Sequence, residues 1–259
     1  MILQFYKYHG TGNDFILLDC RDKKIDLSKE QIAHLCHRHF GIGADGLMYL
    51  QQETGYDFRM VYFNADGGES TMCGNGGRCM VAFAHMLDII KDKTTFIAID
   101  GAHTAEINAD GVVSLQMVDV NEVSFYANHA ILNTGSPHYV SWVDDVEYTD
   151  VFTQGRAIRN REEFSPGGIN VNFAKHTDGK LWVRTYERGV EDETLSCGTG
   201  VVASAIAATK NDTGDFNIGV KTPGGELQVQ FTKDTQSAAK NVILKGPATY
   251  VYKGEINMN

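Results

Sequence analysis

Apolar residues alternate with polar ones, or form short continuous runs, in many separate segments of the chain. In the first half this pattern predicts β-strands at about residues 2–8, 14–19, 47–50, 58–63, 95–99, 103–108 and 112–118. In the second half it predicts strands near residues 139–143, 169–175, 181–187, 218–221, 225–231 and 241–245. Asp110-Gly111 and Pro223-Gly224-Gly225 are hairpin turn signals between such segments. Both halves are therefore rich in β-sheet.

Three longer segments carry helical patterns. One helix is predicted at about 28–39, a second begins at Gly74 or Asn75 and continues to about Leu87, and a third passes through 201–208. The last two are apolar on nearly every face, which indicates burial on all sides. We therefore predict an α/β (α+β) fold of two similar domains related by a pseudo-twofold axis, each a curled β-sheet or barrel around a central buried helix.

The two apolar helices follow two copies of one motif. Residues 69–76 and 193–200 both have the pattern Glu-(Ser/Thr)-x-x-Cys-Gly-x-Gly, and the same offset places 61–64 on 185–188. This similarity predicts a duplicated domain, with the boundary near residues 119–121. A pocket between the halves would let two thiols face one ligand, because domain interfaces are favoured places for small-molecule sites.

Composition limits the functional classes. The chain has 259 residues, 42% of them hydrophobic, which suffices for one large or two smaller cores. Its 33 acidic and 23 basic residues give a net charge of −10, so we expect small-molecule partners and neither nucleic acid nor an anionic membrane. We find neither a cationic leader with an apolar segment nor an apolar run of membrane-spanning length, and expect a cytoplasmic protein.

The five cysteines are an odd number and favour thiols over a disulfide framework. Cys20, Cys36 and Cys79 are interpreted as small buried hydrophobes. The chain contains neither Cys-x-x-Cys nor His-Glu-x-x-His, and residues 36–39 fall in the predicted helix, so no metal is expected. Residues 41–46 match Gly-x-Gly-x-x-Gly, but in the helix-then-strand order that is wrong for a dinucleotide loop, and are predicted to form a tight connection.

A cysteine at the start of a buried helix has a definite chemistry. The amides and dipole of a helix N-terminus favour negative charge, so they lower a thiol pKa and attract anions. The amides of Gly74, Asn75, Gly198 and Thr199 could then hold a carboxylate. Two such thiols suit the inversion of a carbon stereocentre, in which one thiolate removes a proton and the other thiol supplies one. The structural alternative is two buried cysteines beside glycine caps.

Five motifs in a fixed order extend the two-cysteine interpretation over essentially the whole chain. They are residues 9–15, 63–67, 73–79, 186–189 and 197–200. Together they resemble the diaminopimelate epimerase family. The resemblance implies an enzyme of two similar α/β domains that works without pyridoxal phosphate or another cofactor. It would interconvert LL- and meso-2,6-diaminopimelate, a diamino-dicarboxylate, in lysine and peptidoglycan-precursor biosynthesis.

The resemblance also implies a homodimer and a final strand, from about residue 246, that returns to the first domain. The predicted domains are thus residues 1–118 with 246–259, carrying Cys73, and residues 119–245, carrying Cys197.

Residue roles follow from the same resemblance. Cys73 and Cys197 match the two acid/base cysteines, Glu187 a ligand of the substrate amine that also tunes a thiol, and His138 a histidine that modulates the cysteine pKa values. The substrate-binding set is Asn13, Asn64, Gly74, Asn75, Asn170, Glu187, Arg188, Gly198 and Thr199. Such a set fits a doubly zwitterionic substrate. Asn170 and Asn172 alternate along a predicted strand, and we expect only one of them, Asn170, to face the site.

Two positions depart from the family pattern and concern substrate binding. Some members carry Gln where this chain has Gly46 and Asn where it has Ser136, so two amide contacts would be lost. Plainer readings also stay open: Asn13 as a loop cap, Asn64 as a turn residue, Glu187 and Arg188 as a solvated pair, and His138 as a structural histidine.

Three other functions are weighed against the epimerase. A two-cysteine racemase of the proline or hydroxyproline type would leave Arg188, Asn64 and Asn170 without a distal charged group to bind. A non-catalytic amino-acid-binding protein would make the cysteines incidental. A cysteine hydrolase would give the second motif no purpose, because His138 could activate only one thiol.

Overall fold

A computed structural model describes residues 2–23, 25–177 and 179–258 of the chain, and it contains two compact units. The first unit is Met1–Leu115 with Pro247–Asn259, and the second is Gln116–Gly246. Both combine strands with one deeply buried helix, which confirms the predicted α/β class and its repeated domains. The boundaries predicted at 118/119 and 245/246 stay a prediction.

The elements of the first unit, in chain order, are β1 (Ile2–Gly10), β2 (Asn13–Asp19), α1 (Lys29–Cys36), β3 (Gly46–Gln51), β4 (Arg59–Asn64), β5 (Glu69–Ser70), α2 (Gly74–Met86), β6 (Lys93–Ala98), β7 (Gly101–Ile107) and β8 (Val112–Gln116). The last strand of the chain, β18 (Thr249–Asn257), pairs antiparallel with β1 and so belongs to this unit.

The elements of the second unit are β9 (Val123–Phe125), β10 (His129–Asn133), β11 (Pro137–Trp142), α3 (Val151–Arg159), a short 3-10 helix (Glu162–Phe164), β12 (Asn170–Thr177), β13 (Lys180–Glu187), β14 (Asp192–Thr194), α4 (Gly198–Ala208), β15 (Gly214–Thr222), β16 (Gly225–Thr235) and β17 (Ala238–Pro247).

Strand pairing follows the same plan in the two units. In the first, β1 and β2 are antiparallel, β2 and β3 parallel, β3 and β4 antiparallel, β4 and β6 parallel, and β6 and β7 antiparallel. In the second, the corresponding pairs β10–β11, β11–β12, β12–β13, β13–β15 and β15–β16 have the same directions in the same order. The duplication inferred from two short motifs therefore extends to the whole strand order.

The two predicted core helices are confirmed. Every residue of α2 from Gly74 to Ala84 is buried, and α4 is buried at Gly198 and from Gly200 to Ala207. Most residues of the two helices are small or apolar, which suits a helix surrounded by sheet, and Arg78 is the charged exception in α2.

The first helix is shorter than predicted. It begins after the N-cap residue Ser28 and ends at Cys36, so the prediction that residues 37–39 continue it is wrong. The chain turns back over the helix end at Gly41, where an added Cβ would overlap the carbonyl oxygen of His34.

Other elements were missed. The predictions omit β5, β9, β10, β14 and α3. Asp150 caps α3 by accepting from the amide of Thr153, and the helix packs Gly155 against Tyr186 so closely that an added Cβ would overlap the tyrosine. The cap was a usable sequence signal.

Among the described residues, the longest helix has 13 residues and none meets the length and hydropathy of a membrane span. The same part of the chain contains no cluster of three His, Cys, Asp or Glu side chains arranged to bind a metal ion.

Candidate active site

Cys73 and Cys197 occupy the same position at the start of their helices. Each is the N-cap residue, with an extended backbone at φ −94° and ψ 131° for Cys73 and φ −109° and ψ 111° for Cys197. Their carbonyl oxygens accept the amides of Gly77 at 2.7 Å and Val201 at 2.9 Å. Each thiol therefore lies at the end of a helix whose dipole stabilises negative charge.

Asn13 faces Cys73 in the first unit. It follows a two-residue turn at 11–12 in which both residues have positive φ, 49° and 84°, as a tight hairpin requires. Its Oδ1 lies 3.7 Å from Cys73 Sγ and accepts from Asn75 Nδ2 at 3.2 Å, while its Nδ2 donates to Asp45 Oδ2 at 2.7 Å. Because a carboxylate only accepts, Asp45 fixes the amide so that its carbonyl oxygen faces the thiol.

A buried cation lies behind the first turn of α2. Arg78 is fully buried, and its guanidinium donates to Asn75 Oδ1 at 2.9 Å and to the Gly74 carbonyl at 3.2 Å. Burial lowers the pKa of Arg78, whereas its neighbours Cys79 and Cys73 act in the opposite direction. Sequence analysis missed Arg78, although positions three and four residues apart on a helix are neighbours.

The departure at Gly46 fits the packing of this chain. An added Cβ at Gly46 would lie 2.6 Å from both the Phe63 carbonyl oxygen and Tyr62 Cε2, so the tyrosine ring occupies the space that a longer side chain would need. Asn64, paired with Gly46 across the strands, is exposed at the end of β4. Its role toward a substrate stays a prediction.

A row of polar side chains leads to Cys197 in the second unit. Thr199 Oγ1 lies 3.5 Å from Cys197 Sγ and 3.2 Å from Ser136 Oγ, which lies 3.0 Å from His138 Nε2. His138 is fully buried on β11. Burial, with a smaller effect of the Arg188 charge, lowers the pKa of His138 to about 3, so the imidazole is neutral at pH 7.

Asn170 and Asn172 both join this cluster. Asn170 Nδ2 donates to Ser136 Oγ at 3.2 Å, and Asn172 Nδ2 donates to His138 Nδ1 at 3.1 Å. Residues two apart along a strand point to the same face, so the two asparagines do not alternate, and the expectation that Asn170 is the one facing the substrate stays a prediction. The sequence analysis had therefore omitted Asn172, and it treated Ser136 only as a departure.

Glu187 ends β13, and Arg188 follows it in the next turn, beside these residues. Glu187 Oε2 accepts from the Thr194 hydroxyl at 3.0 Å. The Arg188 amide donates to Asn170 Oδ1 at 2.9 Å, and its half-buried guanidinium has Nη1 3.4 Å from the Gly167 carbonyl oxygen. The structure thus brings together Asn170 and Arg188, while their contacts with a substrate stay predictions.

The other three cysteines are packing residues, as predicted. Cys20, Cys36 and Cys79 are all buried. Burial raises the pKa of each to about 12, which keeps them as thiols at neutral pH.

Comparison with known proteins identifies the family. The model of the family described as diaminopimelate epimerase matches residues 5–124 and again 130–251. The chain belongs to the diaminopimelate epimerase family. A diaminopimelate epimerase from Flavobacterium psychrophilum is 50% identical over 260 residues, covering 98% of this chain and all of that protein. One from Chlorobaculum tepidum is 41% identical, covering 96% of this chain and 99% of that protein.

Solved structures share the architecture of this diaminopimelate epimerase family member at low sequence identity. A phenazine biosynthesis protein of the PhzF family from Bacillus anthracis has a TM-score of 0.77 at 14% identity and covers 100% of both chains. A probable proline racemase from Agrobacterium radiobacter has a TM-score of 0.71 at 15% identity, covering 100% of this chain and 94% of that chain. These identities establish the common fold alone.

Proposed function

We propose that this chain interconverts LL- and meso-2,6-diaminopimelate by inverting one stereocentre without a cofactor. The observation that carries the proposal is the pair of cysteines, each the N-cap of a buried helix in a duplicated motif. Relatives named diaminopimelate epimerase, 50% and 41% identical over nearly the full chain, support the choice of substrate.

The proposed reaction needs two acid/base groups of opposite state. One cysteine thiolate removes the proton from the α-carbon, and the other thiol delivers a proton to the opposite face of the same carbon. The reverse reaction exchanges the two roles. In this mechanism the helix amides after each cysteine bind the carboxylate of the reacting centre and stabilise the charge that develops on it.

The rest of the proposed site matches the substrate's distal end. Arg188 would bind the distal carboxylate, and Asn13, Asn64 and Asn170 would add amide contacts. Glu187 would bind an ammonium group. The polar network around Asn170 and Arg188 supports this arrangement, because it holds both residues at the end of one strand pair.

The decisive experiment is incubation of purified, reduced protein with LL-diaminopimelate in heavy water, without added cofactor, followed by chiral and isotopic analysis. We expect meso product that carries deuterium at the inverted carbon, while unreacted substrate carries almost none early in the reaction. Proline and 4-hydroxyproline are the parallel substrates. Conversion of either one in preference to diaminopimelate would replace the proposal with a racemase of that type.

We also propose a homodimer that works in the cytoplasm. Acid/base thiols have to stay reduced, which suits a reducing compartment, and closed two-subunit assemblies are the commonest homo-oligomers. Light scattering after size-exclusion chromatography tests the assembly, and a monomer at micromolar concentration would contradict it.

A further inference from the structure

We infer that Ser136 and Thr199 form a one-way hydrogen-bond chain that carries donation from His138 to the sulfur of Cys197 and stabilises its thiolate. The inference rests on the proposed function, in which Cys197 is an acid/base group. Thr199 contacts the reacting sulfur, and Ser136 is a positioning residue that acts through Thr199.

The orientation of the Asn172 amide determines the direction of donation along this hydrogen-bond chain. Its Nδ2 lies 3.2 Å from the Tyr139 carbonyl oxygen, and its Oδ1 lies 2.9 Å from the Thr185 hydroxyl. A backbone carbonyl can only accept, so the NH2 group of Asn172 faces Tyr139 and also His138 Nδ1. His138 Nδ1 must therefore accept. In the neutral imidazole the hydrogen is then on Nε2, which donates to Ser136 Oγ.

Asn170 adds a second donor to Ser136. Its Oδ1 accepts the backbone amide of Arg188 at 2.9 Å, and its Nδ2 lies 3.2 Å from the Pro137 carbonyl oxygen, so the orientation of this amide is also fixed by backbone groups. The same Nδ2 donates to Ser136 Oγ. With both lone pairs of Ser136 occupied by donors, its single hydrogen is directed to Thr199 Oγ1.

Thr199 completes the chain. Its hydroxyl accepts from Ser136 and has one hydrogen to donate, and Cys197 Sγ lies 3.5 Å away. The Thr199 carbonyl oxygen accepts the Thr134 hydroxyl at 2.9 Å, which holds the first turn of α4 beside the chain. Hydrogen bonds donated to a sulfur favour its charged form, and donors in a chain polarise one another.

His138 therefore acts as a donor at neutral pH. Its Nδ1 accepts from Asn172, and its Nε2 already carries the hydrogen. Because burial also opposes protonation, His138 does not take a proton from Cys197. The charged groups Glu187, the last residue of β13, and Arg188, which follows it, lie beside Asn170 and Thr194. Lys233 on β16 lies at the opposite end of α4, where it donates to Thr209.

The test is the pH dependence of cysteine alkylation in the reduced, substrate-free protein. Short pulses of iodoacetamide from pH 5 to 10, followed by peptide mass spectrometry, give a separate midpoint for Cys197 and for Cys73. In Thr199→Val the Cys197 midpoint should rise by about one pH unit, so its labelling at low pH should slow about tenfold. In Ser136→Ala it should rise by about half as much, because Thr199 still donates.

Two variants serve as controls. Thr199→Ser keeps the hydroxyl and should retain the wild-type midpoint. Ser204→Ala removes another buried hydroxyl of α4, one that donates to the Gly200 carbonyl at 2.8 Å, and should change neither cysteine. Thermal unfolding of each variant separates loss of fold from loss of the chain. In every variant the Cys73 midpoint should shift much less than that of Cys197.

A Cys197 midpoint that is the same in Thr199→Val and in wild type would overturn the inference, as would an equal shift at Cys73. The outcome is independent of the substrate assignment. Shifted midpoints in a protein that does not convert diaminopimelate would retain the chain and reject the proposed function. Unshifted midpoints in a protein that does convert diaminopimelate would reject the hydrogen-bond chain and retain the proposed function.

Discussion

The two cysteine helices begin alike but lie over chemically different strands. Under α2, an added Cβ at Gly76 would lie 3.1 Å from Met48 Sδ and 3.5 Å from Phe15 Cζ. Under α4, an added Cβ at Gly200 would overlap Asn172 Oδ1. The strands correspond, because the Phe15–Gly46 pair of β2 and β3 matches the His138–Asn170 pair of β11 and β12.

The difference shows that a repeated motif does not give repeated electrostatics. In the first unit the polar groups near Cys73 come from the turn at 11–12 and from α2 itself, through Asn13, Asn75 and Arg78. In the second unit the corresponding turn and helix contribute Ser136 and Thr199, and the strands beneath the helix add the buried His138 and Asn172. The two thiols, to which the proposed mechanism assigns opposite proton transfers, therefore have different polar surroundings.

The largest expected effect is the loss of activity when either cysteine is replaced, which tests whether both units take part in the reaction. Cys73→Ser and Cys197→Ser should each lower kcat/KM for diaminopimelate about 10³-fold, the usual scale of a lost general acid or base. Chiral analysis of product measures the loss, and calorimetry should show substrate binding retained. Cys36→Ala, in the packed core, is the control for removal of a thiol. A variant that remained active without one of the two cysteines would mean a one-base reaction.

The next largest effect is on stability, and it compares a polar residue beneath α4 with an apolar residue beneath α2. Asn172→Leu should lower the free energy of unfolding by about 2–4 kcal/mol, because it leaves buried His138 Nδ1 and the Thr185 hydroxyl without this partner. Met48→Leu, at the corresponding place in the first unit, conserves volume and should cost less than about 1.5 kcal/mol. Urea unfolding measures both. Equal costs would remove the distinction between the two units.

A third effect depends on pH. The folded-state pKa of His138, about 3, is below its unfolded value near 6.5, so the unfolded state binds more protons between these limits. The His138 contribution to stability is therefore complete above about pH 6.5 and is lost as pH falls toward 3, by up to about 1.4 kcal/mol per pH unit. His138→Gln should flatten the slope of unfolding free energy against pH. An unchanged slope would place the imidazole in contact with water.

The smallest effect concerns Arg78. Arg78→Lys keeps a positive charge but loses the fork that bonds both Asn75 and Gly74, so kcat/KM should fall about fivefold, or about 1 kcal/mol. The labelling profile of Cys73 should change and that of Cys197 should not. Equal changes at both cysteines would show that the two thiol environments are coupled rather than separate.

The sequence alone predicted the features that are local. Both core helices were expected from their apolar runs, and the start of α2 from Gly74, and two hairpins were expected from Asp110-Gly111 and residues 223–225. Family resemblance added the site residues. The helix and hairpin predictions succeeded because a few neighbouring residues determine those conformations, whereas the roles of the site residues stay predictions.

What the sequence missed depends on contacts between distant segments. Asn172 meets His138 across 34 positions of the chain, and Ser136 meets Thr199 across 63. A single sequence does not contain these pairings. The helix α3 was missed because Gly155 weakens its local propensity, and close packing against Tyr186 stabilises it instead.

The second glycine of each motif copy differs between the two units in how readily it could be replaced. At Gly76 a methyl group would press on the flexible end of Met48, which can move by a few tenths of an ångström. At Gly200 it would displace an amide that is held by a strand carbonyl, an imidazole and a hydroxyl. We therefore expect substitutions in the first copy to be tolerated more readily than in the second, both during natural evolution and in directed evolution. New acid/base side chains should likewise be easier to introduce at α2 than at α4.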